Sequence, residues 1–188
     1  IAEDISNQEH WTNNQVYLNG ISDQYITLEA GEVFKTNFSS SNPNTIHAQT
    51  DFNIQGTFDL NGNTMDMHNY DFTCWPAGGA MAKGTFLDVG DINGPVLLYA
   101  TSYDQIYIYG NLEFDDFVNV RGTTNVFGDV TINDTLRNYS VQGLLNVHGD
   151  IENNGSILNV VNSSYHQLDV NITGDIINNG DWITRYTT

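Results

Sequence analysis

Positive charge is what this chain has least of. Lys and Arg number 5 among 188 residues against 23 Asp and Glu, a formal net charge of −18 at pH 7. Phosphate binding needs clustered cations, and Lys35, Lys83, Arg121, Arg137 and Arg185 are the whole supply. The composition therefore argues against nucleic-acid partners and against docking on anionic lipid. Cysteine is nearly absent as well. Cys74 stands alone, so no disulfide can form within the chain. With no His placed beside it by local sequence, it reads as a small buried apolar residue rather than a nucleophile. No apolar run approaches the length of a membrane span, so membrane insertion is not expected. Lys is scarce, Asn, Thr, Ser and Gly are abundant, and the chain starts at Ile1. Together these set the expectation of a mature or excised piece of an exported protein, extracellular or at a cell surface. Helical periodicity is the last shortage. Only residues 1–11 (IAEDISNQEHW) carry it, and there a short N-terminal cap helix is expected.

What remains is a β-prone globule. Hydrophobic residues make up 39% and aromatics 12%, more than a solvated acidic tail carries. The 25 Asn and 17 Gly are turn formers. Short alternating runs at 15–20, 24–29, 51–60, 105–114, 126–132, 144–151 and 168–177 have period 2 and are broken by Gly, Asn and Asp. One stretch differs in texture: residues 74–84 (CWPAGGAMAKG) read as a loop by their Pro and three Gly.

Internal repeats decide the fold class. Asn-[Val/Ile]-x-Gly occurs at 53–56 (NIQG), 119–122 (NVRG), 125–128 (NVFG), 146–149 (NVHG) and 171–174 (NITG). The copies at 125, 146 and 171 extend to Gly-Asp-[Val/Ile], and a degenerate copy reads YIYGNL at 107–112. Their glycines, Gly110, Gly128, Gly149 and Gly174, lie 18, 21 and 25 residues apart. Steps near 20 residues with short strands are the mark of a β-solenoid, whose stacked coils place equivalent residues in columns about 4.8 Å apart. Two inward columns follow: Ile108, Val126, Val147, Ile172 and Leu112, Val130, Ile151, Ile176. The drift of the step counts against a strict hexapeptide left-handed solenoid and favours a right-handed one. Asn125, Asn146 and Asn171 should form a side-chain amide ladder.

The string 57–67 (TFDLNGNTMDM) resembles the strand-turn-strand common in right-handed parallel β-helix proteins. The Gly-Asp-[Val/Ile] copies followed by Asn-Asn-Gly (153–155 and 178–180) are similar to those of secreted surface and adhesin-like proteins of Bacteroidota-type bacteria. The likeness covers roughly residues 50–183. It implies a parallel β-helix, an extracellular structural or adhesive role and frequent glycosylation; a minority of such proteins process polysaccharide. Asp134-Thr135-Leu136 matches the Asp-[Ser/Thr]-aliphatic motif to which such bacteria attach O-glycans, which makes Thr135 a candidate modification site.

Candidate sites are few. Asp129, Asp150 and Asp175 hold equivalent positions, with Asn111 below. Stacked carboxylates repel by about 1 kcal/mol per neighbour in water, relieved by fanning into solvent, by a raised pKa or by a cation. Calcium suits carboxylates and amide carbonyls, although no EF-hand or Gly/Asp nonapeptide repeat is present. His10, His47, His68 and His166 are scattered and His148 sits among non-ligand types, so no transition-metal motif emerges. Asp115-Asp116 and Asp88/Asp91 are acid pairs of the kind glycosidases use, unavoidable among 23 acids. Neither Arg121 nor Arg137 lies in a lyase motif. Tyr103, Tyr107 and Tyr109, with Trp75 in the 74–84 loop, are the candidate glycan contacts, since exposed aromatic faces stack on sugar rings. Trp11 and Trp182 suit the role of end plugs for the core. The 18 Thr form no repeated column of the kind an ice-binding face needs.

The sequence therefore predicts one all-β domain over 1–188, a parallel β-helix, right-handed: a cap over 1–15, less regular coils over 16–104 and regular repeats over 105–183. The function expected is that of a non-catalytic structural or adhesive module, an acidic rod meeting neighbouring modules or subunits and glycans. The alternative is a carbohydrate-active module, a binding domain or a polysaccharide lyase or hydrolase. No cofactor is expected, calcium being the one candidate ion.

Overall fold

A computed structural model describes residues 1, 3–8, 11–74, 79–101, 103–159 and 167–183; of residues 13, 79 and 139–141 it describes the strand backbone alone. The described chain is all-β, a parallel β-solenoid of about eight turns. Every strand pairing is parallel, and consecutive turns advance by 18 residues (Ile108 to Val126) to 25 (Val147 to Ile172).

Three faces run along the rod. The first is built by Ile5–Asn7, Gln24–Leu28, Ile46–Ala48, Thr64–Asp66, Gly84–Leu87 and Gln105–Tyr109. It continues through the later halves of Val118–Phe127 and Thr135–Val147 to Leu168–Ile172. The second holds Phe52–Ile54, Phe72–Cys74, Asp91–Asn93, Leu112–Phe114, Val130–Ile132, Ile151–Asn153 and Ile176–Asn178. The third includes Thr57–Asp59, Gly79–Ala82, Val96–Tyr99, the earlier halves of the two long strands, Ser156–Leu158 and Asp181–Ile183. Strands of three to five residues alternate buried and outward side chains, which is why the hydrophobic pattern has period 2.

Both inward columns expected from the repeats are register columns: Ile108–Val126–Val147–Ile172 on the first face and Leu112–Val130–Ile151–Ile176 on the second. In the early turns the core is aromatic. Phe34, Phe38, Phe52, Phe58, Phe72 and Phe86 are all buried and in mutual ring contact, with Phe52 4.9 Å from Phe58 and 5.7 Å from Phe72 between centroids. Trp11 packs on Phe34 at 5.8 Å near one end, and Trp182, opposite Ile157, packs on the core near the other.

Two expectations fail here. The N-terminal cap helix does not form. Ile5–Asn7 is a strand in register with Ile26–Leu28, and Trp11–Leu18 is another. Asp, Ser and Asn are weak helix formers, whereas pairing buries Ile5 over Ile26 and covers a sheet edge, so tertiary contact overrides the local pattern. Nor is 74–84 wholly a loop. Gly79–Ala82 is a strand pairing with both Thr57–Asp59 and Val96–Tyr99, because Ala80, Met81 and Ala82 bury an apolar run into the core. Cys74 is buried as well, and burial pushes its thiol pKa up to about 12.

Candidate functional site

The repeats place three polar columns on the rod. Asn125, Asn146 and Asn171 share one register on the first face. Asn146 Nδ2 donates to Asn125 Oδ1 at 2.9 Å and Asn171 Nδ2 to Asn146 Oδ1 at 2.9 Å. Gln105 extends the ladder downward by accepting from Asn125 Nδ2 at 2.8 Å. Asn133, Asn154 and Asn179 make a second ladder, at 3.2 and 2.9 Å.

Asp129, Asp150 and Asp175 stand at the corner before the second face, and the carboxylates of Asp129 and Asp150 are used by the turn above. Asp150 N–H donates to Asp129 Oδ1 at 2.9 Å and Asp175 N–H to Asp150 Oδ1 at 2.7 Å, while Asp129 N–H donates to Asn111 Oδ1 at 3.0 Å. Charge-assisted bonds to backbone N–H offset the mutual repulsion of the stack. Asp71 and Asp91 repeat the device lower down, donating to Asp51 and Asp71. The Gly before each Asp follows from the tight stacking of this corner: a Cβ on Gly128, Gly149 or Gly174 would run into the carbonyl oxygen of the glycine one turn below, and on Gly149 it would also come within 2.5 Å of Asp129 Oδ1. Close approach, not a left-handed bend, demands glycine there.

An open groove of about 490 Å³ follows this corner, lined by Asp91, Glu113, Asp129, Asp150 and Glu152 among others. Asp91 feels it most: partial burial, then the charges of Asp71, Glu113 and Asp115, raise its pKa above the ordinary 3.8. The acid pairs singled out from sequence serve neighbouring groups. Asp115 Oδ1 accepts from Asn133 Nδ2 at 2.7 Å, and Asp116 Oδ2 from Gly94 N–H at 3.1 Å. The two repeat-body cations lie over rings, Arg121 over Tyr99 at 4.8 Å and Arg137 over Phe117 at 4.2 Å.

The candidate glycan contacts are not one platform. Tyr103 is 99% exposed at a turn and shares a cleft of about 270 Å³ with Tyr107, Asn61, Lys83, Asp104 and Gln105. Tyr109 instead joins an outward stack with Phe127 (4.6 Å between centroids, 10° between planes) and His148 (4.4 Å, 2°). The facing sides of these rings cover one another, while Tyr109 stays 42% exposed. Trp75 lies outside the described residues. Thr135 begins the strand Thr135–Val147, half-buried and opposite Ser156.

One grouping escaped the sequence reading. His47 and Asp66 are register neighbours on the first face, and His68 follows two residues on. The three offer ligand atoms that all lie within 4.8 Å of one another. Counting 19 residues from His47 to Asp66 finds the pair only once the coil step is known.

No family model, no curated protein and no solved structure matches this chain.

Proposed function

We propose that the chain is a non-catalytic extracellular module, a stiff acidic solenoid acting as a structural or adhesive element that continues into further coils, of the same protein or of a second subunit. One observation carries this reading: the last described turn is built like an interior one. Ile176 occupies the inward column above Ile151, yet it is 55% exposed. Beside it stand the oxygens of Asn171 and Asp175, to which, among the described residues, no turn above donates. Unpaired strand edges and open columns of this kind are templates for another coil. The exported placement rests on composition, and the charge of −18 keeps such a rod soluble.

Electron microscopy and light scattering over a range of concentrations test the proposal. End-to-end rods that vanish in Ile176→Asp are expected; a wild-type chain that stays monomeric at millimolar concentration sinks it. The second reading, glycan binding, is favoured by the Tyr103–Tyr107 cleft, which combines aromatic and amide groups. A glycan array with Tyr107→Ala as control decides it.

A further inference from the structure

We propose that His47, Asp66 and His68 form a binding site for a divalent transition-metal ion, a property independent of the structural role above. Register puts His47 opposite Asp66 in the next turn. Asp66 Oδ1 accepts the His68 N–H at 3.0 Å and holds that residue at φ 49°, a left-handed conformation unusual for histidine. The turn carries the His68 ring back to His47. His47 Nδ1 then lies 3.0 Å from His68 Nε2 and 3.9 Å from Asp66 Oδ2. With centroids 5.2 Å apart and planes 12° from parallel, that separation sets the rings edge to edge, nitrogen facing nitrogen.

Each far nitrogen also faces a carboxylate. His47 Nε2 lies 3.7 Å from Asp23 Oδ2, and His68 Nδ1 lies 3.4 Å from Asp66 Oδ1. A carboxylate beside one ring nitrogen favours the tautomer with its proton on that side. Asp66 Oδ2 stands beside the near nitrogen of His47 as well, so in the metal-free chain one ring donates its N–H to the other across the 3.0 Å gap; a metal ion takes the place of that proton, which moves to the donor ring's far nitrogen beside its carboxylate. Donors ~2.0–2.1 Å from a tetrahedral zinc lie about 3.3 Å from each other, and the contacts of 3.0 and 3.9 Å bracket that spacing. Two imidazoles and one carboxylate suit Zn²⁺, Co²⁺ or Ni²⁺ rather than Ca²⁺. Tyr25 braces His47 from one side, 4.9 Å between centroids. His47 and Asp66 are half-buried and His68 is 43% exposed, which leaves the remaining coordination positions to water or to an incoming ligand.

The experiment uses the full untagged chain, stripped with a chelator and titrated near neutral pH with Zn²⁺ by calorimetry and with Co²⁺ by visible absorption. One zinc per chain is expected. His47→Gln and His68→Gln should each weaken zinc at least a hundredfold, and Asp23→Asn by about tenfold to a hundredfold through the orientation of His47. His148→Gln, on another part of the same face, should leave affinity unchanged. These side chains lie on the outer surface, so unchanged circular dichroism verifies that each variant is folded. Zinc bound equally by the wild type and by the double histidine variant, or bound by neither, overturns the assignment. An N–H···N hydrogen bond between the two rings that no ion displaces gives that second result.

Discussion

The turns from Phe34 to Phe86 and those from Gln105 to Asn178 stack in the same way for different reasons. In the first region six phenylalanines fill the interior and touch across turns, so each coil is held by what it buries. In the second the inward residues are mostly Val, Ile and Leu, and the outside carries amide ladders and Asp-to-backbone bonds. A large ring serves more than one level, so neighbouring turns are free to differ in sequence. A ladder demands a like polar group, amide or carboxylate, at every level. Sequence repetition in this molecule is thus a product of the polar columns rather than of the solenoid itself.

The largest effect expected from this contrast is at Phe52, which meets Phe34, Phe38, Phe58 and Phe72. Phe52→Ala should cost about 3–5 kcal/mol in denaturant unfolding; a cost under about 1 kcal/mol would break the claim that rings hold the early turns. Next comes Asn146, bonded both to Asn125 and to Asn171. Asn146→Ala should cost about 1–3 kcal/mol, while Thr85→Ala, in the same column of the aromatic region, stays within about 0.5 kcal/mol. Equal losses at the two positions would erase the difference between the regions.

The smallest effect lies at Asp91, where the pKa is raised in the folded chain. A carboxyl that binds its proton more tightly when folded stabilises below its ordinary pKa, and that contribution is lost as pH rises from 3.8 through the raised value. Asp91→Asn should therefore lift the melting temperature at neutral pH relative to wild type. The gain should shrink as pH falls toward 3.8. A gain that is the same at every pH contradicts the carboxylate crowding.

This contrast also explains what could be read from residues alone. The ladder at Asn125, Asn146 and Asn171 and the two aliphatic columns repeat in sequence because each position there meets its like one turn above or below. The early turns gave no such handle: Phe38 and Phe58 are register partners, but nothing local to either announces it. Residues 1–11 misled because a few polar residues spaced between Ile1, Ile5 and Trp11 suit a helix locally, while the strand partner that wins lies 21 positions away. Gly79–Ala82 was hidden by the Pro-Gly texture around it. His47, Asp66 and His68 needed the coil step, which drifts from turn to turn.

The amide ladder also has a sense. Asn125 Nδ2 donates to the Ile106 carbonyl at 3.3 Å, an atom with no hydrogen to give, so the orientation of that amide is fixed. Asn146 and Asn171 follow it, and the Asp backbone bonds run the same way. These columns are therefore vectorial, with donors facing toward Ile5 and acceptors toward Ile176, although Asn153 Nδ2 donates the other way, to Asn178 Oδ1 at 2.6 Å. Tail meeting tail would oppose oxygen to oxygen and carboxylate to carboxylate, which disfavours a closed two-fold pair. An end-on contact made through these columns is head-to-tail, and contacts of that kind need not close, so they specify a direction of growth without specifying a final length.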